Sequence, residues 1–330
     1  MNSSGAYFNK QFSHIYVEKK AMDHDETKKI LARLPHSEVI LIDHYKDIFN
    51  RNKQRYNEQK RSRALILAVN GGELVYKGAP VCQSFGNPGF YYTATAMNCP
   101  FDCDYCFLKG MYGTANIVCF VNFEDYAAAV AKLDNPYICA SYDTDIIGLN
   151  SITGQADKWI DFAGSHPDIL IELRTKFSPA RLTALPNLIY AFTLSPDEIC
   201  RRFERGTPPL KARLAAVKNA VESGCVVRLC FDPMIYVSGW EGYYGELVGQ
   251  VADTVGFEGI RDVSVGTFRI SSQYLKTMRK QEPDSEVCWY PFDTVNGYAV
   301  YPEDIDNKMQ SFMCGRLSGY IGSDKIWKWN

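Results

Sequence analysis

Cys99, Cys103 and Cys106 stand in the run NCPFDCDYCFLKG (residues 98–110), a Cys-x3-Cys-x2-Cys triplet that follows an apolar, strand-like stretch over residues 89–97. Three thiolates in one tight loop suit a [4Fe–4S] cluster gripped by three of its irons, whereas a structural or electron-transfer cluster takes four Cys. The fourth iron then keeps an open position, which separates a reactive metal site from a structural one. Two other readings stand beside this one. Zinc takes four Cys or His ligands, usually as paired half-sites; one half-site is visible, and His14, His24, His36, His44 and His166 are scattered. Unrelated buried thiols are the third reading. The odd count of 11 Cys in a long chain argues against a disulfide framework. Most remaining thiols, Cys82, Cys119, Cys139, Cys200, Cys225, Cys230, Cys288 and Cys314, lie in apolar runs as small hydrophobes do.

A loop of this kind needs a rigid frame. With 330 residues, 46% of them hydrophobic, the chain can bury a large core in one or two domains. Strand patterns over residues 137–142, 169–176, 188–195, 226–232 and 260–267 join residues 89–97 to make six strands. Helical patterns over residues 124–133, 155–163, 210–223 and 241–255 fall between them, and Gly224 ends the third of these. Strand–helix alternation predicts a parallel sheet covered by helices. Chemistry in barrels of this sort sits at the C-terminal strand ends, where the Cys loop falls. Residues 1–85 read as a small α/β extension, with a helix near 25–34, a strand over 39–43 and a basic helical run. Residues 86–270 read as the barrel. Residues 271–330 read as an appendage: a short amphipathic helix, an aromatic turn-rich stretch over 289–301, then a helix and tail.

No apolar stretch of about 18 residues predicts a membrane span, and the polar first 13 residues do not resemble a secretory signal. Unpaired Cys and an oxygen-sensitive cluster point to a reducing cytoplasm. A net charge of −2 gives no global attraction to nucleic acid, so such a partner needs local basic patches. Arg51, Lys53, Arg55, Lys60, Arg61 and Arg63 form one candidate, and Lys276, Arg279 and Lys280 a smaller one. Such runs track phosphates, or simply form the wet face of a helix.

Tyr105 makes the triplet a Cys-x3-Cys-x-aromatic-Cys run, which resembles the signature of radical S-adenosylmethionine (SAM) enzymes. IYVEKKA (residues 15–21), RSRALILAVNGG (61–72), DIIGLNSITG (145–154), LRTKF (173–177), FERGT (203–207) and SGWEGYYGEL (238–247) resemble, in order, segments of the spore photoproduct lyase family. The resemblance covers nearly the whole chain. It implies an α/β fold, an open partial (β/α)6 barrel, with SAM chelating the open iron and a low-potential electron donor serving the cluster. It further implies a 5′-deoxyadenosyl radical that reverses a UV thymine lesion in DNA. By position, Lys176 would bind the SAM carboxylate, while Thr144 and Thr193, where the family has Ser, would join Tyr105 around SAM.

Three positions depart from the family. Phe107 stands where the family has Tyr after the third cluster Cys. Tyr142 stands where the family has its hydrogen-donor Cys, with Cys139 three residues earlier. Hydrogen return then falls to Cys139, to Tyr142 or to another thiol such as Cys82. Residues 289–301 keep aromatics but lose the family's Arg. A relative acting on another nucleobase, nucleotide or small molecule is the alternative function. A metal-stabilised nucleic-acid-binding protein is the non-enzymatic one.

Overall fold

The computed structural model describes residue 12 and residues 14–78 and 82–329. Six strands run parallel and in chain order: β1 (Phe90–Thr93), β2 (Tyr137–Cys139), β3 (Leu170–Thr175), β4 (Leu188–Thr193), β5 (Val226–Met234) and β6 (Ile260–Thr267). Val75–Lys77 pairs antiparallel to β1 at one edge, and Ile326–Lys328 pairs parallel to β6 at the other, completing an eight-stranded sheet. Two edges remain, so the barrel is open, as expected.

Side chains of a strand alternate faces, and β3 shows what that does. Ile171 and Leu173 join the main core with Trp159 and Ile160 of the helix Gln155–Ser165. Glu172, Arg174 and, just past the strand, Lys176 share the opposite, lumenal face. The lumen is floored by a buried network in which Arg228 donates to Glu172 (2.6 Å), Tyr137 (2.7 Å) and Asp262 (2.9 Å). Phe85 lies over the guanidinium, 3.3 Å from ring centroid to Cζ. A buried charge is tolerable only when paired this fully.

The alternation is not strict. Residues 176–187 join β3 to β4 with no helix, and Pro179 and Pro186 explain why, since proline breaks helical hydrogen bonding. Conversely, a helix Ile146–Thr153 precedes Gln155–Ser165; Asp145 caps it by accepting from Gly148 N at 2.9 Å, and Gly154 ends it at φ 69°. Both are ordinary helix-end signals.

Residues 89–97 are not one strand. Ala96–Met97 leaves the barrel and pairs antiparallel with Ile117–Phe120. Those two complete a second sheet in the order Glu38–Ile42, His14–Glu18, Leu65–Ala68, Ile117–Phe120, Ala96–Met97. The cluster loop is therefore spanned between two sheets. The basic run over 51–63 is not one helix but loop around a single turn, Tyr56–Gln59, with Lys53 at φ 59°. Beyond the barrel, the helix Ser272–Gln281 packs on the cluster helix Phe107–Met111 at Gly110, where a Cβ would fall 2.6 Å from Tyr274 O. A hairpin, Asp293–Val295 and Tyr298–Val300, turns through Asn296 and Gly297, both at positive φ, as the Asn-Gly pair favours.

Candidate active site

The Cys loop is fixed at every step. Asn98, at φ 73°, donates to Thr114 O (2.7 Å) and Asn116 O (2.9 Å), a left-handed conformation that Asn tolerates. Arg63 donates to Cys99 O (3.1 Å) and Pro100 O (2.6 Å). Asp102–Cys103 pairs as a short antiparallel ladder with Glu204–Arg205. Around it lies a cage of charges: Asp102 with Lys109 (2.7 Å) and Lys60 (2.8 Å), and Glu282 with Lys109 (2.6 Å), Lys60 (2.8 Å) and Arg205 (2.8 Å). Lys60 and Arg63, read from sequence as surface charges, turn inward to hold this loop.

Cys103 is buried, and Cys99 and Cys106 are partly buried. Desolvation raises all three thiols, Cys103 to about 12. A metal must therefore displace their protons to bind. Among the described residues, no three Cys, His, Asp or Glu side chains converge on one ion position. Three thiolates that each grip a different corner of an iron–sulfur cube have no need to converge, whereas zinc ligands do.

The cysteines open on a cavity of about 680 Å³, within the range of small-molecule sites. Tyr105, Thr144, Lys176 and Thr193 line it too, as do Cys82, Cys139 and Tyr142. Every residue singled out from sequence for cofactor or hydrogen chemistry thus faces one space. Among the described residues, buried Thr144 Oγ1 has no hydrogen-bond partner, an orphan atom suited to a ligand. Lys176 Nζ lies 5.2 Å over the Tyr105 ring and 3.7 Å from Glu204 Oε1. Burial works against its charge, but Cys103 and Glu204 overcome that and raise it above the ordinary Lys value. A charged ammonium facing the cavity beside the Cys103 and Cys106 thiols suits an anionic ligand.

Glu204 was not foreseen. It is fully buried, and it accepts from Tyr105 Oη, from Arg213 and from Ser195 Oγ (2.7 Å). Burial opposes its ionisation, but Arg213 and Lys176 hold it well below the usual carboxylate range. FERGT is thus explained: its Glu orients Tyr105 and Lys176, and its Arg joins the charge cage. Asp145 was also missed; besides capping its helix, it accepts from Thr175 Oγ1 (2.8 Å) and Lys176 N (2.8 Å), anchoring the strand end that carries Lys176.

The model of the spore photoproduct lyase family matches residues 11–287. The chain belongs to that family. It is 28% identical over 248 residues to the spore photoproduct lyase of Geobacillus sp. (strain Y412MC61), covering 71% of this chain and 69% of that one. To the Bacillus subtilis (strain 168) protein of the same name it is 24% identical over 253 residues, 70% of this chain and 73% of the other. In fold it is similar to a spore photoproduct lyase complexed with dinucleoside spore photoproduct, with a TM-score of 0.79 at 18% identity, covering 97% of this chain and 98% of that one. A mutant spore photoproduct lyase with bound AdoMet and dinucleoside spore photoproduct gives the same TM-score and coverage at 17% identity. Likeness at these identities shows the radical SAM fold, an open barrel.

Against the family pattern, the departures now have surroundings. Tyr142 Oη lies 3.3 Å from Cys82 Sγ, and its ring packs on Tyr92 (centroids 4.4 Å apart) and Phe107 (5.7 Å). Cys139 ends β2 without a bulge, its Sγ 3.9 Å from Glu172 Oε1. Desolvation raises Tyr142 and Cys139, so both keep their protons at neutral pH. No helix among the described residues is long and apolar enough to cross a membrane.

Proposed function

We propose that this chain is a radical SAM lyase that reverses the thymine spore photoproduct in DNA. Cys99, Cys103 and Cys106 hold a [4Fe–4S] cluster; Lys176 pairs with the SAM carboxylate, and Tyr105, Thr144 and Thr193 surround SAM. Bound together, cluster and SAM supply a reducing electron and the carbon radical that abstracts hydrogen. The chain's own work is to position and to exclude water. The observation that carries the reading is the convergence of the three thiols, the Lys176 ammonium and the orphan Thr144 hydroxyl on one cavity.

Hydrogen return belongs to Tyr142 Oη, which gives one hydrogen atom to the substrate carbon and takes one from Cys82 Sγ, 3.3 Å behind it; Cys82 would in turn recover the hydrogen first abstracted from the substrate, carried as 5′-deoxyadenosine, so that the relay closes with no net oxidation. Cys139, whose thiol faces Glu172, serves the lumen wall. The aromatic wall of Tyr92, Phe107 and Tyr142 supports a planar base as substrate. This same wall, altered at Phe107 and Tyr142, is what favours the second reading: the same cofactors acting on another nucleobase or nucleotide.

The test is anaerobic incubation of the reconstituted protein with SAM, dithionite and dinucleotide spore photoproduct. Formation of thymidylyl-thymidine is expected. SAM cleavage without that product selects the second reading.

A further inference from the structure

The basic loop over 51–63 and Lys280 of the second basic segment, far apart in sequence, share one cleft. Asn57 Nδ2 donates to Gln281 O at 3.1 Å across 224 residues of chain, joining the loop over 51–63 to the end of the helix Ser272–Gln281. Between them lies a cleft of about 630 Å³, whose wall carries Arg51, Lys53, Arg55 and Lys280 against a single acid, Glu58. Arg55 meets that acid at 3.0 Å on the open surface. Arg51, Lys53 and Lys280 are exposed, and no ion pair among the described residues engages them. In a chain of net charge −2, this is a concentrated positive surface.

Its position gives it a meaning. Met111 lines both this cleft and the cavity that holds the cluster cysteines. The helix Phe107–Met111 separates Phe107, on the cavity wall, from Met111 by four residues. On the opposite count, residues 293–300 of the hairpin hold Asp293 and no Lys or Arg. Positive charge suited to a phosphate backbone is therefore gathered in this cleft and not on the hairpin.

We propose that the cleft grips the phosphates flanking the lesion, so that Arg51, Lys53 and Lys280 hold the nucleic-acid strand while the damaged bases occupy the cavity. This rests on the lesion-repair reading. It also separates two substrates by size: a dinucleotide has no flanking phosphates to reach the cleft, and an oligonucleotide does.

The experiment measures binding of a lesion-bearing oligonucleotide against salt for the wild type and for Arg51→Gln/Lys53→Gln/Lys280→Gln. Each lost phosphate contact lowers the salt slope by about 0.9, so the triple variant should lose about 2 to 3 in slope. Its turnover of dinucleotide spore photoproduct should be unchanged. Single variants Arg51→Gln and Lys280→Gln, each expected to lose about 1, provide the reading if the triple variant folds poorly. An unchanged salt slope, or no binding of the oligonucleotide by the wild type, overturns the inference. Because binding is read without turnover, a wild type that grips the oligonucleotide but yields no repaired dinucleotide refutes the repair reading alone.

Discussion

Tyr142 Oη and Cys82 Sγ are 3.3 Å apart on the wall of the cluster cavity, joining two residues separated by 60 positions. The pair puts a phenol and a thiol in contact at the position where the sequence resemblance implies the family's hydrogen-donor Cys. Tyr142→Phe should lower thymidylyl-thymidine formed per 5′-deoxyadenosine by roughly tenfold, equivalent to ~1.4 kcal/mol on the hydrogen-return step. Cys82→Ser should lower it less on the first turnover than on later ones, since the thiol acts behind the phenol. Cys139→Ser should leave the ratio unaltered. A Cys139 variant that alone abolishes product would transfer the role to that thiol.

Glu204 and Arg213 form a fully buried pair, and Glu204 also meets Tyr105 and Lys176. Glu204→Gln strands the Arg213 charge, which costs about 3–5 kcal/mol for a pair buried this deeply. Chemical denaturation should show that loss, and SAM affinity should fall as Tyr105 and Lys176 lose the carboxylate that orients them. Because the folded carboxyl titrates below its ordinary 4.5, the wild-type contribution is complete above that pH and is lost as pH falls. A variant as stable as wild type, with unaltered SAM affinity, would remove Glu204 from the site.

Asp143 behaves oppositely. Burial lifts its carboxyl from 3.8 to about 6, although Tyr112 Oη donates to Oδ2 at 2.9 Å. Between those values the folded chain keeps a proton that the unfolded chain has released, so stability falls as pH rises through the window. The gap corresponds to ~3 kcal/mol. Asp143→Asn should flatten the stability profile between about pH 4 and pH 6 and should raise stability at neutral pH. An identical profile in the variant would refute this.

Gly148 touches the cluster loop: a Cβ there would meet Phe101 at 3.1 Å and Pro100 at 3.3 Å. Gly148→Ala should push the loop outward, cost about 1 kcal/mol through overpacking, and lower iron bound per chain. Full iron loading with unaltered stability would show that the loop does not depend on this contact.

What sequence could and could not convey is visible in particular residues. The six strands were legible because apolar runs such as residues 188–193 carry their own period, and β6 falls where its pattern lies. The Cys triplet was legible because its ligands are neighbours in the chain. Glu204 was not, because its partners Tyr105, Lys176 and Arg213 come from three separate elements and only the fold gathers them. The Cys82–Tyr142 contact was hidden for the same reason. Lys60 and Arg63 were misplaced because a charge run carries no sign of which members will be buried against Asp102 or the Cys99 carbonyl. Ala96–Met97 looked continuous with β1 because nothing local announces a change of sheet.

The most direct test is anaerobic reconstitution of the wild type and of Cys103→Ala with iron and sulfide, followed by SAM and dithionite. About four irons per chain are expected in the wild type, as a [4Fe–4S] cluster requires, together with release of 5′-deoxyadenosine; the variant should lose both. A wild type that takes up no cluster, or a Cys103→Ala protein that still cleaves SAM at the wild-type rate, would contradict the account.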